Sequence, residues 1–289
     1  MRLAARGTLA ITAAAVSVLA PMSALHAAPS AVDDRIALSA NGSSLTNTGG
    51  GGGASATWLH NFDADTLLGV AAEYQALSVS HWAFASLNGA MTRGPGNQRY
   101  TFYGEAHEGA GRDGPHAFKY RLEALGVTGT YFHRLSATVE DKQVNVETTN
   151  GNLPKLQLAY LWNPKIQTTV GYQHSFGGNL GTRLTTARID VYASQVSFLA
   201  GAALGQASPA LIGQALTLGP HDLREGYVGV IKSFPKLRGD LSFTVDYQRL
   251  SGGGGKFINA GGETVIEATV SQRWTGTLNY IFHVGHHGT

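Results

Sequence analysis

The sequence predicts an all-β chain closed into an antiparallel transmembrane β-barrel of about 14 strands, with 12 and 16 as the neighbouring counts. Three observations carry this. The first is alternation, cleanest at residues 241–250. There Leu241, Phe243, Val245 and Tyr247 alternate with Ser242, Thr244, Asp246 and Gln248. Successive strand side chains point to opposite faces, so one face is apolar and the other polar. The second is that no stretch beyond the N-terminal leader approaches 18 apolar residues, so any crossing of a membrane is by strands. The third is the placing of aromatic residues near strand ends, where Trp58, Trp162, Tyr160, Tyr247, Tyr280 and Phe282 fit the interfacial girdles of a barrel.

Composition agrees. Charged residues make up 14% of the 289, low for a soluble domain, and mean hydropathy is −0.06, too low for a bundle of membrane helices. A net charge of +2 without a concentrated basic patch argues against a nucleic-acid binder. The absence of cysteine excludes disulfides, thiolate metal sites and cysteine nucleophiles. Residues 1–27 read as a secretory signal: Arg2 and Arg6, an apolar run from Leu9 to Ala20, then small residues before a cut after Ala27. Residues 28–289 are then expected to form a single barrel domain.

In chain order the strands fall at about 35–44, 54–61, 66–77, 81–92, 98–108, 116–127, 133–147, 153–162, 166–176, 180–192, 195–205, 223–233 and 239–250. Between the first two, Thr46–Gly53 with its five glycines reads as a flexible loop rather than a phosphate cradle. Arg93–Asn97 and Asn163–Lys165 are tight turns, and Gly109–Pro115 is a returning loop. In strand 116–127 the expected outward set is Phe118, Tyr120, Leu122 and Ala124. A bulge is expected near Asp141, where the alternation slips phase. Residues 206–222 form the longest connection and are candidates to fold into the lumen.

The chain end admits a hairpin or one long strand over 263–284. Ile266, Ala268, Val270, Trp274, Leu278, Tyr280, Phe282 and Val284 all fall on even positions, which favours one strand. The count is then 14, with both termini on the side of the short turns (61–65, 163–165, 234–239). A soluble β-sandwich shares the alternation but hides its apolar face in a core.

The signal, the alternating strands and the closing segment Leu278-Asn279-Tyr280-Ile281-Phe282 together resemble the Gram-negative outer-membrane β-barrels. The size is similar to monomeric 14-stranded porins, and there is a weaker similarity to YaiO-like barrels. In the usual pattern the chain ends on the aromatic residue; here seven residues follow Phe282. The resemblance covers residues 35–284. It implies contact with outer-membrane lipid and lipopolysaccharide, handling by the barrel-insertion machinery, and, through the YaiO-like barrels, partners in an exopolysaccharide export system.

The expected lumen-lining charges are Glu73, Glu105, Lys119, Arg121, Glu123, Glu140, Lys142, Arg188, Asp190, Asp246 and Glu267. They read either as a salt-bridged interior or as a pore lining of mixed sign and weak selectivity. The function expected is a polar-lumen pore or the outer-membrane part of an export system, with a monomer favoured. The alternatives are an occluded structural or interaction barrel, and a lipid-modifying hydrolase. For a hydrolase the nearest Ser-His pair is His174-Ser175, adjacent and so on opposite faces of a strand. No catalytic, cofactor, metal or nucleic-acid site is read from the residues.

Overall fold

A computed structural model describes residues 33–46, 49–77, 80–113, 116–146, 149–207, 221–252, 255–259, 262–266 and 269–285. Its strands are β1 (Asp33–Leu45), β2 (Gly49–Asn61), β3 (Thr66–Leu77), β4 (Ser80–Arg93), β5 (Gln98–Asp113), β6 (His116–Tyr131) and β7 (Leu135–Val146). They continue with β8 (Thr149–Asn152), β9 (Lys155–Asn163), β10 (Ile166–His174), β11 (Arg183–Tyr192), β12 (Val196–Ala207) and β13 (His221–Phe234). The last four are β14 (Gly239–Gly252), β15 (Gly255–Asn259), β16 (Gly262–Ile266) and β17 (Thr269–Gly285).

Fourteen of these close one antiparallel barrel: β1–β7, β9–β14 and β17. The ring closes where β17 pairs with β1 and β6 pairs with β7. Among the strands, β8 pairs with β7, and β15–β16 is a separate ribbon. Turns at 62–65, 94–97, 132–134, 164–165 and 193–195 and the 3-10 turn Pro235–Leu237 lie at one rim, where β1 begins and β17 ends. The opposite rim carries β8, the segment 175–182 and the β15–β16 ribbon.

The period of two produces two unlike surfaces. Outward side chains include Leu38, Val70, Phe102, Leu158, Val170, Phe198, Val228 and Leu278, all exposed. A closed sheet has no unpaired edge, so such a belt can face hydrocarbon. On β17 the outward run from Phe282 to Trp274 is about 27 Å along the strand, or about 20 Å once tilted, near the ~25 Å belt of such barrels. Aromatic pairs bracket it. Tyr280–Phe282 (4.3 Å) and Tyr160–Trp162 (4.9 Å) sit towards the short-turn rim, and Tyr247–Trp274 (4.7 Å) sits towards the other.

Several expectations are corrected. The glycine run is strand, not loop: Gly49–Gly53 pair with Asn41–Leu45 of β1. Gly53 faces inward opposite Gln75, and a Cβ there would overlap the Gln75 amide. The glycines leave room for that side chain against the wall. Residues 109–113 extend β5, and Asp113 pairs with His116 across a two-residue connection. No bulge occurs at Asp141, because β6 and β7 pair without a shift and Glu140, Lys142, Val144 and Val146 share one face. The slip in alternation marks a change in what that face touches. Residues 206–207 and 221–222 are strand, and 208–220 lie outside the described residues, as does the leader 1–27. At the chain end one long strand completes the ring, although 262–266 belong to the ribbon.

Lys119, Arg121 and Glu123, expected inward, stand on the outer face of β6, while Phe118, Tyr120, Leu122 and Ala124 are buried inside. Glu105 faces the lumen and opposes Ala124, so the even positions of β6 must face inward too. At the long-loop end of β5–β7 the usual polarity is thus inverted, with an apolar interior and a charged exterior. That end is built like a soluble β-structure standing above the apolar belt.

Candidate functional site

The lumen is the candidate site. On one wall, β3, β5, β7 and β9 bring their polar faces into a connected set. The Gln75 amide donates to Glu73 at 2.8 Å. Lys142 Nζ lies 3.2 Å from Glu105 and 3.9 Å from Glu140, and Lys155 Nζ lies 3.3 Å from Glu140. His107 Nε2 is 3.5 Å from Glu105, and Tyr103 donates to Glu140 at 2.7 Å. Charges removed from bulk water need such partners, and Glu73, Glu105 and Glu140 each have at least one.

The facing wall carries two more clusters. Arg188 Nε donates to both oxygens of Asp190 at 2.9 Å. Further round, Glu225, Asp246 and Arg273 come together from β13, β14 and β17, with the two carboxyls in hydrogen-bonding reach of each other and Arg273 beside them. Among the described mid-lumen residues, six acidic side chains (Glu73, Glu105, Glu140, Asp190, Glu225, Asp246) face four cations (Lys142, Lys155, Arg188, Arg273), and the Glu225–Asp246 hydrogen bond holds one proton between its two carboxyls. The path is polar, of mixed sign and mildly acidic.

Inward tyrosines lie flat on this wall. A Cβ at Gly126 would overlap the Tyr103 ring, and one at Gly201 would overlap Tyr227. The glycines on the neighbouring strands let both rings lie back against the wall.

The long-loop mouth carries a further segment. Segment 175–182 leaves the wall after β10 and is stitched to the β7–β8 hairpin. Asn179 N–H donates to the Asn150 carbonyl at 2.9 Å and Asn150 N–H donates to Asn179 Oδ1 at 2.9 Å. Asn152 and Phe176 exchange backbone bonds of 3.0 and 2.8 Å. Leu180, 1% exposed, joins the buried cluster of Trp82, Phe118, Tyr120, Leu122, Val144 and Val146. The segment is a strap across one side of the mouth, anchored in an apolar plug. Leu184, Ala207, Leu223 and Leu250 form a second apolar cluster from β11–β14.

Of the residues expected to line the lumen, Glu73, Glu105, Glu140, Lys142, Arg188, Asp190 and Asp246 face it. Lys119, Arg121 and Glu123 do not, and Glu267 lies outside the described residues. Tyr103 and His107, on the same inward phase of β5 as Glu105, also belong to the network. Lys155, Glu225 and Arg273 were missed, though each sits on the inward phase of its strand and alternation alone could have found them. His174 stands outside between Tyr172 and Phe176, whereas Ser175 Oγ accepts the Thr182 N–H at 2.8 Å, so the two form no catalytic pair.

This fold is that of the outer-membrane β-barrels. Among solved structures the chain is similar to a Pseudomonas aeruginosa FadL homologue (TM-score 0.55, 10% identity, 86% of this chain and 90% of that one). It is likewise similar to the monoaromatic hydrocarbon channel CymD (0.58, 9%, 89% and 90%) and to the Pseudomonas putida toluene transporter TodX (0.51, 9%, 88% and 90%). These likenesses are of fold. No family model matches the sequence, and no curated protein does.

Proposed function

We propose that the protein is an outer-membrane channel that gives small solutes a passive path through its charged lumen. The observation that carries this is the two-faced wall: an apolar, aromatic-bracketed exterior around an interior of paired charges. By the usual pattern of such barrels the short-turn rim faces the periplasm and the long-loop rim faces outward. Five negative charges against four positive ones favour weak preference for cations. The strap 175–182 narrows the outer mouth.

Reconstitution in a planar bilayer tests the reading. The expected result is ohmic current that rises when residues 176–181 are deleted. A folded, heat-modifiable barrel that passes no current at any voltage, with or without the strap, would sink it.

A second reading concerns the solute. The plug around Trp82 and the cluster around Leu223 make the mouth apolar, which suits solutes with an apolar portion, as do hydrocarbon channels of the same fold. Liposome swelling decides between the two: faster permeation of aromatic acids than of sugars of equal size favours the second.

A further inference from the structure

On β5–β6 an outward arginine is held within the wall: Arg121 is paired with Glu123 and stands opposite Glu108. On β13–β14 two outward arginines face each other instead. Arg224 and Arg249 are direct cross-strand partners, both outward and both exposed. Directly opposed side chains have Cβ atoms about 5 Å apart, and like charges so placed repel. Their outward row continues to Leu204 on one side and Gln272 on the other, which bring no charge. Asp222, one step nearer the rim on the same face, stands opposite Ser251 and not opposite either arginine.

The place of the pair matters as much as its charge. One outward step towards the middle of the barrel lie Tyr247 and Trp274, register partners with rings 4.7 Å apart. Beyond them come Val245, Phe243 and Leu278 of the apolar belt. The two arginines therefore stand where hydrocarbon gives way to headgroups, above an aromatic interfacial pair. An anion between them would turn repulsion into two charge-assisted contacts, and the planar guanidinium suits a phosphate.

We propose that Arg224 and Arg249 together clamp a phosphate of an outer-leaflet lipid headgroup, with its acyl chains against Tyr247, Trp274 and the belt. The leaflet rests on the orientation given above; the phosphate chemistry does not.

The test is native mass spectrometry of the folded barrel in neutral detergent with bis-phosphorylated lipid A. Wild type should retain the lipid. Arg224→Gln and Arg249→Gln should each weaken retention roughly fivefold, and the double variant roughly 25-fold. Arg134→Gln, in a turn at the opposite rim, should change nothing. Added lipid should raise the thermal midpoint of wild type but not of the double variant. In lipid-free detergent Arg249→Gln should melt no lower than wild type, because a repulsion has been removed.

Equal retention by the double variant overturns the proposal, as does equal retention of dephosphorylated lipid A. Binding of inorganic phosphate as tight as that of the lipid would reduce the site to a simple anion site and likewise overturn it. Heat-modifiability on gels confirms that each variant is folded. None of these readouts needs current, so a non-conducting barrel can pass this test and a conducting one can fail it.

Discussion

Tyr103 lies flat across Gly126 of the neighbouring strand and donates its hydroxyl to Glu140, 2.7 Å away. One missing Cβ thus positions a ring, and the ring positions a carboxylate that also meets Lys142 and Lys155. Gly126→Ala should push the ring into the bore and break the bond to Glu140. The expected outcome is lower single-channel conductance and a loss of about 1–2 kcal/mol in unfolding free energy, read from urea unfolding. Tyr103→Phe should cost about as much stability without narrowing the bore, which separates the two effects.

Lys142 stands between Glu105 and Glu140. Lys142→Gln removes one of four mid-lumen cations and leaves both carboxylates under-compensated. The reversal potential in a salt gradient should move towards stronger cation preference, with a stability loss of about 1–3 kcal/mol. Asp190→Asn, which removes a carboxylate held by the Arg188 guanidinium, should move the potential the other way. Shifts of the same sign in both variants would contradict a lumen governed by its charge balance.

The strap is held at Gly178, whose φ is +58° and where a Cβ would collide with the Asn150 carbonyl. Gly178→Ala should unseat the strap, raise conductance and speed proteolysis within 175–182. Leu180→Ala acts on the other anchor and should cost about 2–4 kcal/mol, since that side chain is almost wholly buried in the plug.

At the short-turn rim, Asp63 accepts the Asp65 N–H at 2.7 Å and the Thr66 hydroxyl at 3.2 Å. The backbone hydrogen bond from Asp65 holds its carboxyl below the usual carboxylate range. A depressed folded-state pKa stabilises above the unfolded value, and the contribution fades as pH falls through the folded value. Asp63→Ala should therefore unfold earlier than wild type near neutrality, and the gap should close on acidification. A gap unchanged by pH would show that the turn does not depend on the ionised carboxyl.

Alternation in the sequence alone determined that the chain is all-β, that about 14 strands cross, and which residues share a face, because strand geometry repeats every two residues wherever the chain is extended. The parity of the closing strand even placed both ends on the short-turn rim. What alternation cannot determine is which face is inside. In β6 the apolar set Phe118, Tyr120, Leu122 and Ala124 read as lipid-facing. Only the pairing of Glu105 with Ala124, across a two-residue connection after an unbroken β5, turned that set inward. Had residues 109–115 been the loop the glycines suggested, parity through the turn would have stayed free. The strap, the plug and the opposed arginines were hidden for the same reason. Each joins residues far apart in the chain, and their meeting depends on register and closure, which only the folded barrel fixes.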